Sequence, residues 1–581
     1  MMTLLIMVIS FFGYILCYNL YGRYIGRKIF ALNDKNLAPA VQFEDGIDYV
    51  PTRKGIIFGH HFTSIAGTGP IVGPAIAIIW GWVPALIWVF AGSAVMGAVH
   101  DFGSLIISMR NQGKSISELT AKYINGRTRV FFFLIVFLAL WIIISIFGLV
   151  IAIIFQMFPS AVLPVWLQIP IAILLGVLIY RHGVNVLFWS VIAVILMYLT
   201  MVLGSLFPIE LPVFFGIPGT GLWTIILFIY AYFASVLPVT TLLQPRDFIN
   251  AFQLLIAMTL LTLGVIFSAI GKDLVFVAPA MQLTPQDAPP LWPFLFITIA
   301  CGAISGFHSL VASGTSAKQV RRESDSLFVG YGSMLVEGAL ATLVIIAVGA
   351  GIGMGYTTGS GETLTGLNAW TNHYSSWSAA AGLGSKISAF VVGSANMIGM
   401  LGIPHDLAKV IMGVFVASFA GTTLDTATRI QRYVISELGS DLRIGVTGNR
   451  YVATGIAVVS ATLLAFASGA DGKGALTLWP LFGAVNQTLA ALALIIGTLY
   501  LRTKPGFKWL ITGVPAAFMS VMTLWASLMN QFQFGVEQNL LLQVVNAAIV
   551  FIVLWIIIEG TIKLLNPKKS PETPAHDAQV S

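Results

Sequence analysis

Five ionisable side chains of this sequence lie inside apolar stretches that are long enough to cross a bilayer. They are His60, His61, His100, Asp101 and His308. An ionisable group is costly to place in a membrane, so each one marks an ion or proton pathway by default. Imidazole titrates near neutral pH, and a neighbouring imidazolium favours the charged form of a buried carboxyl group. We therefore interpret these five residues as candidates for exchanging a coupling proton.

Other acids in apolar stretches allow more static interpretations. Asp101 lies nine residues before Arg110, about 14 Å along a helix, and a permanent hydrogen bond between spans is the alternative to proton exchange. Glu337 is the lone acid of its stretch, and the sequence names no partner for it. Asp425 lies one turn before Arg429, which favours an i,i+4 ion pair.

Hydroxyl side chains form a second pattern between residues 301 and 318. If this stretch is one helix, a single face carries Ser305, His308, Ser309, Thr315 and Ser316. Hydroxyl oxygens are ligands for hard cations, and the candidates for a sodium site are Ser313, Thr315 and Ser316. Alternatively, each hydroxyl bonds only to the backbone of its own helix.

Two apolar stretches contain residues that interrupt a helix. The first, SIAGTGPIVGP at 64–74, has five Gly or Pro residues between Gly67 and Pro74, and the second, ASVLPVTT at 234–241, has Pro238. Irregular backbone at membrane depth persists only where it lines a cavity or is buried in protein. The predicted substrate-binding residues are therefore Ser64, Gly67, Thr68, Gly69, Gly73, Ser235 and Thr240. A simple kink is the alternative, and it is a stronger alternative for the second stretch.

The composition requires a membrane protein. Of 581 residues, 57% are hydrophobic and only 9% are charged, whereas a soluble domain carries about 25% charged residues. Apolar runs of about 20 residues predict transmembrane helices, and the sequence contains about fifteen such runs. We place them near 2–21, 56–80, 84–108, 130–155, 164–180, 186–207, 221–238, 251–270, 291–316, 327–352, 387–428, 451–469, 476–500, 509–529 and 540–561. The fold class is thus an all-α polytopic membrane protein.

The order of the spans predicts how the broken helices are related. The interrupted spans are the second and the seventh and run in opposite directions, which is typical of a five-plus-five inverted repeat around a central site. The stretch at 387–428 is too long for one helix, so one part of it is expected only to dip into the membrane. The predicted organisation is a first span and loop at 1–55, a transport core at 56–428, additional spans at 429–566 and a disordered tail at 567–581.

The cationic residues predict the orientation. Loops on one side hold 26 of the 30 Lys and Arg residues, those on the other side hold three, and Lys409 falls within a span. Cytoplasmic loops carry the excess of cations, so the N-terminus is predicted outside and the tail inside. This bias also accounts for the net charge of +7 without nucleic-acid binding. The sequence lacks a Walker A motif, a nucleophile elbow and a His-Glu-x-x-His motif, so no enzyme activity is predicted.

The motif around the first break resembles a known family. PTRKGIIFGHHFTSIAGTGPIVGP at 51–74 and GAVHDFG at 97–103 are similar to the carbon starvation protein A (CstA) family, and this chain resembles a shorter member. The resemblance implies a bacterial inner-membrane transporter of peptides or, in some members, of pyruvate with protons. It also implies a LeuT-like fold, in which carbonyl groups near 64–66 would join Ser313, Thr315 and Ser316 in a sodium site.

These observations predict a secondary transporter that works by alternating access. Its partners are a small-molecule substrate and the lipid bilayer, and it needs no cofactor beyond a coupling proton or sodium ion. The oligomeric state stays open, as does the choice of substrate. A nutrient sensor or a channel without coupled transport is the alternative function. An intramembrane enzyme is a third hypothesis, which rests only on His and Asp inside the bilayer.

Overall fold

The computed structural model describes residues 1–271 and 273–566, and most of them are helical. Lys272 and the predicted tail at 567–581 lie outside the described residues. The first twelve helices are α1 (Met2–Cys17), α2 (Pro39–Gln42), α3 (Lys54–Ile65), α4 (Gly69–Ala77), α5 (Trp82–Ala91), α6 (Ala98–Met109), α7 (Ile116–Tyr123), α8 (Gly126–Met157), α9 (Val162–His182), α10 (Val186–Leu206), α11 (Gly219–Val236) and α12 (Leu243–Ile270). The others are α13 (Leu291–Thr298), α14 (Gly306–Gly314), α15 (Ser333–Gly349), α16 (Gly366–Tyr374), α17 (Trp377–Ala381), α18 (Leu383–Gly399), α19 (His405–Asp441), α20 (Arg450–Ala465), α21 (Trp479–Arg502), α22 (Leu510–Val536) and α23 (Leu540–Leu565). Strands β1 (Tyr356–Thr357) and β2 (Thr363–Leu364) form a short antiparallel hairpin in which Tyr356 pairs with Leu364.

The long helices have the length and composition of membrane spans. Twelve of the described helices qualify as membrane spans when the π-helical turns that continue them are included. The number is thirteen when the bent pair α3 and α4 counts as one span. Helix α8 is the most apolar of these spans, with a mean hydropathy of 3.1 in its most apolar window, and the Asn125 side chain caps its first turn. The all-α polytopic fold is therefore confirmed, whereas the exact count of fifteen spans stays a prediction.

The first predicted break is confirmed. Helix α3 ends at Ile65, α4 begins at Gly69, and their axes differ by 42°. Gly67 lies in the gap, where a Cβ atom would be 2.2 Å from the Thr423 hydroxyl oxygen. Only a residue without a side chain allows the backbone to approach α19 this closely.

The second predicted break is in the wrong place. Helix α11 is continuous through Val236, and residues 237–242 form the connection to α12, so Pro238 follows a helix end rather than interrupting a span. The structure instead interrupts the predicted span at 291–316, because α13 ends at Thr298 and α14 begins at Gly306. The broken spans are thus the second and the ninth, not the second and the seventh.

The two broken spans lie side by side in opposite directions. Near their basic ends, Thr52 pairs with Val320, and at the other ends the Trp80 indole N–H donates to the Pro289 carbonyl. A Cβ atom on Gly73 would lie 2.8 Å from the Thr298 carbonyl oxygen, so the breaks are adjacent at mid-span. Antiparallel broken helices that meet at mid-membrane are the central feature of an inverted-repeat transporter.

The loops divide into two sets, which we call the basic face and the distal face. The basic face is formed by 30–53, 110–125, 237–242, 315–326 and 442–449, and contacts such as Val50 N–H to Lys318 carbonyl join its loops. The distal face is formed by 273–290, 355–382 and 466–478. At the distal face, α18 lies across other helix ends, because the Asn396 side chain donates to the Gly351 and Gly355 carbonyls. The predicted division of 387–428 into two segments is present, with residues 400–404 between α18 and α19.

Candidate functional site

A cavity of about 910 Å³ begins at the two helix breaks and reaches the distal face. The predicted residues Gly67, Thr68, Gly69 and Gly73 line its inner end, together with Ala300, Cys301 and Ser305 from the second break. Helix α8 supplies an apolar wall of Ile143, Ile146, Phe147 and Val150. Loop residues and helix ends at the distal face form the mouth of the cavity, which includes Asp287, Trp377 and Glu537. The cavity therefore connects the predicted substrate site to one face of the protein.

Backbone N–H groups face this site from the first break. Among the described residues, the N–H groups of Gly67, Thr68 and Gly69 donate to no protein acceptor. They lie at the N-terminus of α4, which begins at Gly69 and whose dipole favours a negative charge. A carboxylate group is the ligand that suits such an arrangement.

Asn486 on α21 organises the second break and was missed in the sequence. Its side-chain oxygen accepts the Phe307 N–H at 2.9 Å, and its side-chain nitrogen lies 3.1 Å from the Ser305 hydroxyl oxygen. It thereby satisfies the first turn of α14 from another helix. An amide residue inside the apolar run at 476–500 was the available signal.

Asp101 is the centre of a buried chain of ionisable groups. Its two carboxylate oxygens lie 2.8 Å from His100 Nδ1 and 2.9 Å from His308 Nδ1. The Asp101 and His308 side chains are completely buried. Three of the five residues that we selected for proton exchange therefore form one cluster.

Glu337 extends this cluster to the second helix break. Its Oε2 lies 3.5 Å from His308 Nε2, and its Oε1 accepts the Gly302 backbone N–H at 2.9 Å. Glu337 is on α15, so the partner that the sequence left open comes from the neighbouring broken span. The chain from His100 to Glu337 now links three spans to the unwound backbone at 299–305.

His60 belongs to a different network. Its Nδ1 lies 2.6 Å from Asp247 Oδ2, and Arg246 contacts both Asp247, at 3.0 Å, and Asp425. The predicted Asp425–Arg429 pair is therefore wrong, because Asp425 pairs with Arg246 from α12. Asp425 on α19 pairs with Arg246 on α12 instead of with a residue of its own helix. The i,i+4 spacing within one helix does not reveal a partner on another helix.

His61 and the candidate sodium ligands are also dispersed. His61 Nδ1 lies 2.8 Å from the Ser316 hydroxyl, and His60 Nε2 lies 3.2 Å from the Thr315 hydroxyl. The Ser313 hydroxyl donates to the Ser309 carbonyl in its own helix. Because α14 ends at Gly314 and a 3₁₀ turn follows, these three hydroxyls do not share one helical face.

The oxygens beside Ser64 come instead from α19. The Thr423 hydroxyl donates to the Ser64 carbonyl at 3.3 Å, and the Thr426 hydroxyl lies 3.1 Å from the Ser64 hydroxyl. The predicted Ser235 and Thr240 lie away from the cavity, and the Ser235 hydroxyl donates to the Asp425 carbonyl at 3.2 Å. The reason is that α11 does not break at mid-membrane, so its end belongs to the basic face.

Charged groups close the basic face below the site. Asp48, in the loop before α3, accepts hydrogen bonds from Arg429 at 2.8 Å, Arg432 at 3.1 Å and the Tyr433 hydroxyl at 2.7 Å. Burial alone would raise the pKa of Asp48, but the two guanidinium groups and the hydroxyl outweigh it and lower the pKa from 3.8 to about 2. The loop at 45–50 is thus held against the end of α19 by a charged carboxylate.

Comparison with known proteins identifies relatives over nearly the whole chain. The sequence profile described as "Carbon starvation protein CstA" matches residues 2–526. A protein named peptide transporter CstA from Campylobacter jejuni is 32% identical, over 98% of this chain and 86% of its own length. A protein named pyruvate/proton symporter BtsT from Escherichia coli K12 is also 32% identical, over 90% of this chain and 81% of its own.

Solved structures with a similar outline are more distant. A manganese transporter of Eremococcus coleocola covers 91% of this chain and 99% of its own, with 12% identity and a TM-score of 0.48. MhsT in complex with L-phenylalanine covers 88% and 98%, with 13% identity and a TM-score of 0.45. The family match and the relatives carry the assignment. The chain therefore belongs to the carbon starvation protein CstA family and is a multi-pass membrane transporter rather than an enzyme.

Proposed function

We propose that this chain imports short peptides by proton-coupled alternating access. The cavity of about 910 Å³ carries this proposal, because it places backbone N–H groups, apolar walls and acidic groups along one path. Pockets for small organic ligands occupy about 300–1,000 Å³. The cavity has room for a peptide and offers a different chemical surface to each of its parts.

A zwitterionic peptide matches the polarity of the two cavity ends. Its carboxylate pairs with the unoccupied N–H groups at Gly67–Gly69, and its side chains pack on the apolar wall from α8. Its ammonium group faces the mouth, which carries Asp287 and Glu537 and, among the described lining residues, neither Lys nor Arg. The relatives that are named peptide transporters agree with this assignment.

Pyruvate is the second candidate substrate, because the Escherichia coli relative is named for it. A small monocarboxylate uses the same N–H groups at the break. It leaves the two acids at the mouth without a counter-charge, so the lining favours the peptide.

The proton is the proposed coupling ion. The carboxyl and imidazole groups of Asp101, His308 and Glu337 form a connected path beside the second break, and movement of α14 against α15 changes the 3.5 Å contact between His308 and Glu337. A proton that binds to this chain thereby acts on the same backbone that frames the cavity. Sodium is the alternative ion, with ligands from Ser64, Thr423 and Thr426 rather than from Ser313, Thr315 and Ser316.

Uptake into proteoliposomes tests the substrate and the ion together. Purified protein is supplied with labelled dialanine or labelled pyruvate under an imposed proton or sodium gradient. We expect saturable, concentrative dialanine uptake that follows the proton gradient. Non-saturating flux would indicate a channel, binding without flux would indicate a sensor, and sodium dependence would overturn the proton assignment.

Asp101→Asn tests the coupling role. The amide keeps the shape of the side chain but cannot carry the charge, so gradient-driven uptake should be abolished while substrate exchange is retained. Asp406→Asn is the matched control, because its side chain is 95% exposed. Unchanged driven uptake by Asp101→Asn would reject the role.

We also propose that the basic face is cytoplasmic and that the membrane is the bacterial inner membrane. The excess of Lys and Arg on that face supports this orientation. The N-terminus is then outside, and the cavity opens away from the cytoplasm. Labelling of a cysteine introduced before α1 in intact cells by an impermeant reagent tests the orientation.

A further inference from the structure

Three side chains of the kinds that bind transition metals meet at the second helix break. The atoms are Cys301 Sγ, His308 Nε2 and a Glu337 carboxylate oxygen, and all lie within 4.8 Å of one another. The His308 to Glu337 distance is 3.5 Å. In a tetrahedral site with metal–ligand distances of about 2.0–2.3 Å, ligand atoms are about 3.3–3.8 Å apart. Small side-chain rotations therefore bring the three atoms to binding distance.

Two of these atoms have only each other. His308 Nε2 and Glu337 Oε2 are buried, lie 3.5 Å apart and, within the described part of the chain, make no hydrogen bond. A buried polar atom without a hydrogen bond destabilises the folded protein. Both atoms lie within 4.8 Å of Cys301 Sγ, so one bound ion would satisfy them together.

The groups behind these atoms are arranged as in metal sites. Asp101 Oδ2 lies 2.9 Å from His308 Nδ1, so the neutral tautomer that carries its proton on Nδ1 keeps this hydrogen bond and presents the Nε2 lone pair to an ion. The Gly302 N–H holds Glu337 Oε1 and leaves Oε2 to bind. A carboxylate behind the imidazole is the usual way in which a protein orients a histidine ligand.

We propose that Cys301, His308 and Glu337 bind one divalent transition-metal ion of borderline softness, such as Zn²⁺. Thiolate and imidazole ligands select such an ion over sodium, magnesium or calcium, which prefer oxygen. Cys301 also lines the cavity, so the ion enters from the distal face and its fourth position faces the cavity.

The bound ion changes what the broken span can do. It joins Cys301 in the unwound segment to His308 on α14 and Glu337 on α15, and therefore fixes segments that alternating access must move. It also occupies the atoms that a coupling proton uses. Zn²⁺ at this site is thus an inhibitor of transport, which is a property beyond the proposed uptake of peptides.

Cobalt titration tests the site without any transport measurement. Co²⁺ added to the purified chain in detergent should give a thiolate-to-cobalt charge-transfer band at one ion per chain, and Zn²⁺ should displace it. Cys301→Ser should lose the band, whereas Cys17→Ser, the matched control in α1, should keep it. Absence of the band in the wild type, or its persistence in Cys301→Ser, would overturn the proposal.

Two further measurements test the proposal even if the Cys301→Ser variant fails to fold. Alkylation of Cys301 in folded Cys17→Ser protein should abolish cobalt binding without any change of sequence. Asp101→Asn should keep the band but weaken Zn²⁺ affinity about 10- to 100-fold, because it removes only the group behind the imidazole. An unchanged affinity would contradict the orienting role, and these results are independent of whether peptides are carried.

Discussion

The ion pairs of Asp48 with Arg429 and Arg432, which we call the Asp48 bridge, provide the most direct test of how the basic face stays closed. Asp48→Asn keeps the size of the side chain but removes the charge that faces Arg429 and Arg432. The pKa of Asp48 falls from 3.8 to about 2, which measures how much better the folded protein holds the carboxylate than the neutral acid. That difference corresponds to about 2 kcal/mol. The variant should open the basic face about 30-fold more often, since 1.4 kcal/mol is a factor of ten.

Cys301 is a natural reporter for this opening, because it lines the cavity and is one of two cysteines in the sequence. In a Cys17→Ser background, an impermeant maleimide supplied only from the basic face should label Cys301 about 30-fold faster in Asp48→Asn. Glu44→Gln, which makes the same charge change on an exposed side chain of the same loop, is the control. Equal labelling rates in Asp48→Asn and the control would refute the reasoning.

Acid should have the same effect by another route. Because the folded pKa of Asp48 lies below the ordinary value, its contribution is complete above pH 3.8 and is lost as the pH falls toward about 2. The bridge is therefore insensitive to pH near neutrality. Labelling that changes between pH 6 and 8 in the wild type must come from other groups.

Two further substitutions test the break and the buried charges. Gly67→Ala should abolish uptake in proteoliposomes, because its Cβ would lie 2.2 Å from the Thr423 hydroxyl oxygen, whereas Gly421→Ala has open space and should transport normally. Restoration of uptake by adding Thr423→Ala would show that the effect is steric, and normal uptake by Gly67→Ala alone would contradict it. Arg246→Ala should destabilise the detergent-solubilised protein by about 3–5 kcal/mol in thermal unfolding, because it leaves the buried Asp425 carboxylate without its cationic partner. Asp471→Ala breaks the exposed pair with Lys473 and should lower the free energy of unfolding by at most about 1 kcal/mol. Equal losses of stability in the two variants would argue against a stabilising role of the buried network.

The sequence predicted the break that its local composition encodes. Pro70 cannot continue a helix from Ile65 but is tolerated in a first turn, where it lies in α4, so this break follows from the chain alone. The break at 299–305 has only Gly302 within it, and that residue adopts a φ of 87° where a Cβ atom would lie 2.7 Å from the Ala341 Cβ of α15. Pro238 is the converse case, since a proline marks a helix end as readily as a break.

Partners of the buried charges depend on contacts that no local pattern contains. His100, Asp101 and His308 could be selected because ionisable groups are rare in apolar stretches. Their connection to Glu337 arises only when α6, α14 and α15 pack together. Asp425 shows the same limit, because its partner Arg246 lies 179 residues away, whereas the nearby Arg429 reaches Asp48.

The Asp48 bridge also bears on the direction of transport. An inverted repeat gives the two sides of the membrane similar backbone frames, so side-chain contacts decide which conformation is populated at rest. The loop that carries Asp48 supplies such a contact at the basic face. Because it forms in the conformation whose cavity opens to the distal face, the bridge should favour a resting transporter that waits for substrate as a one-sided receptor.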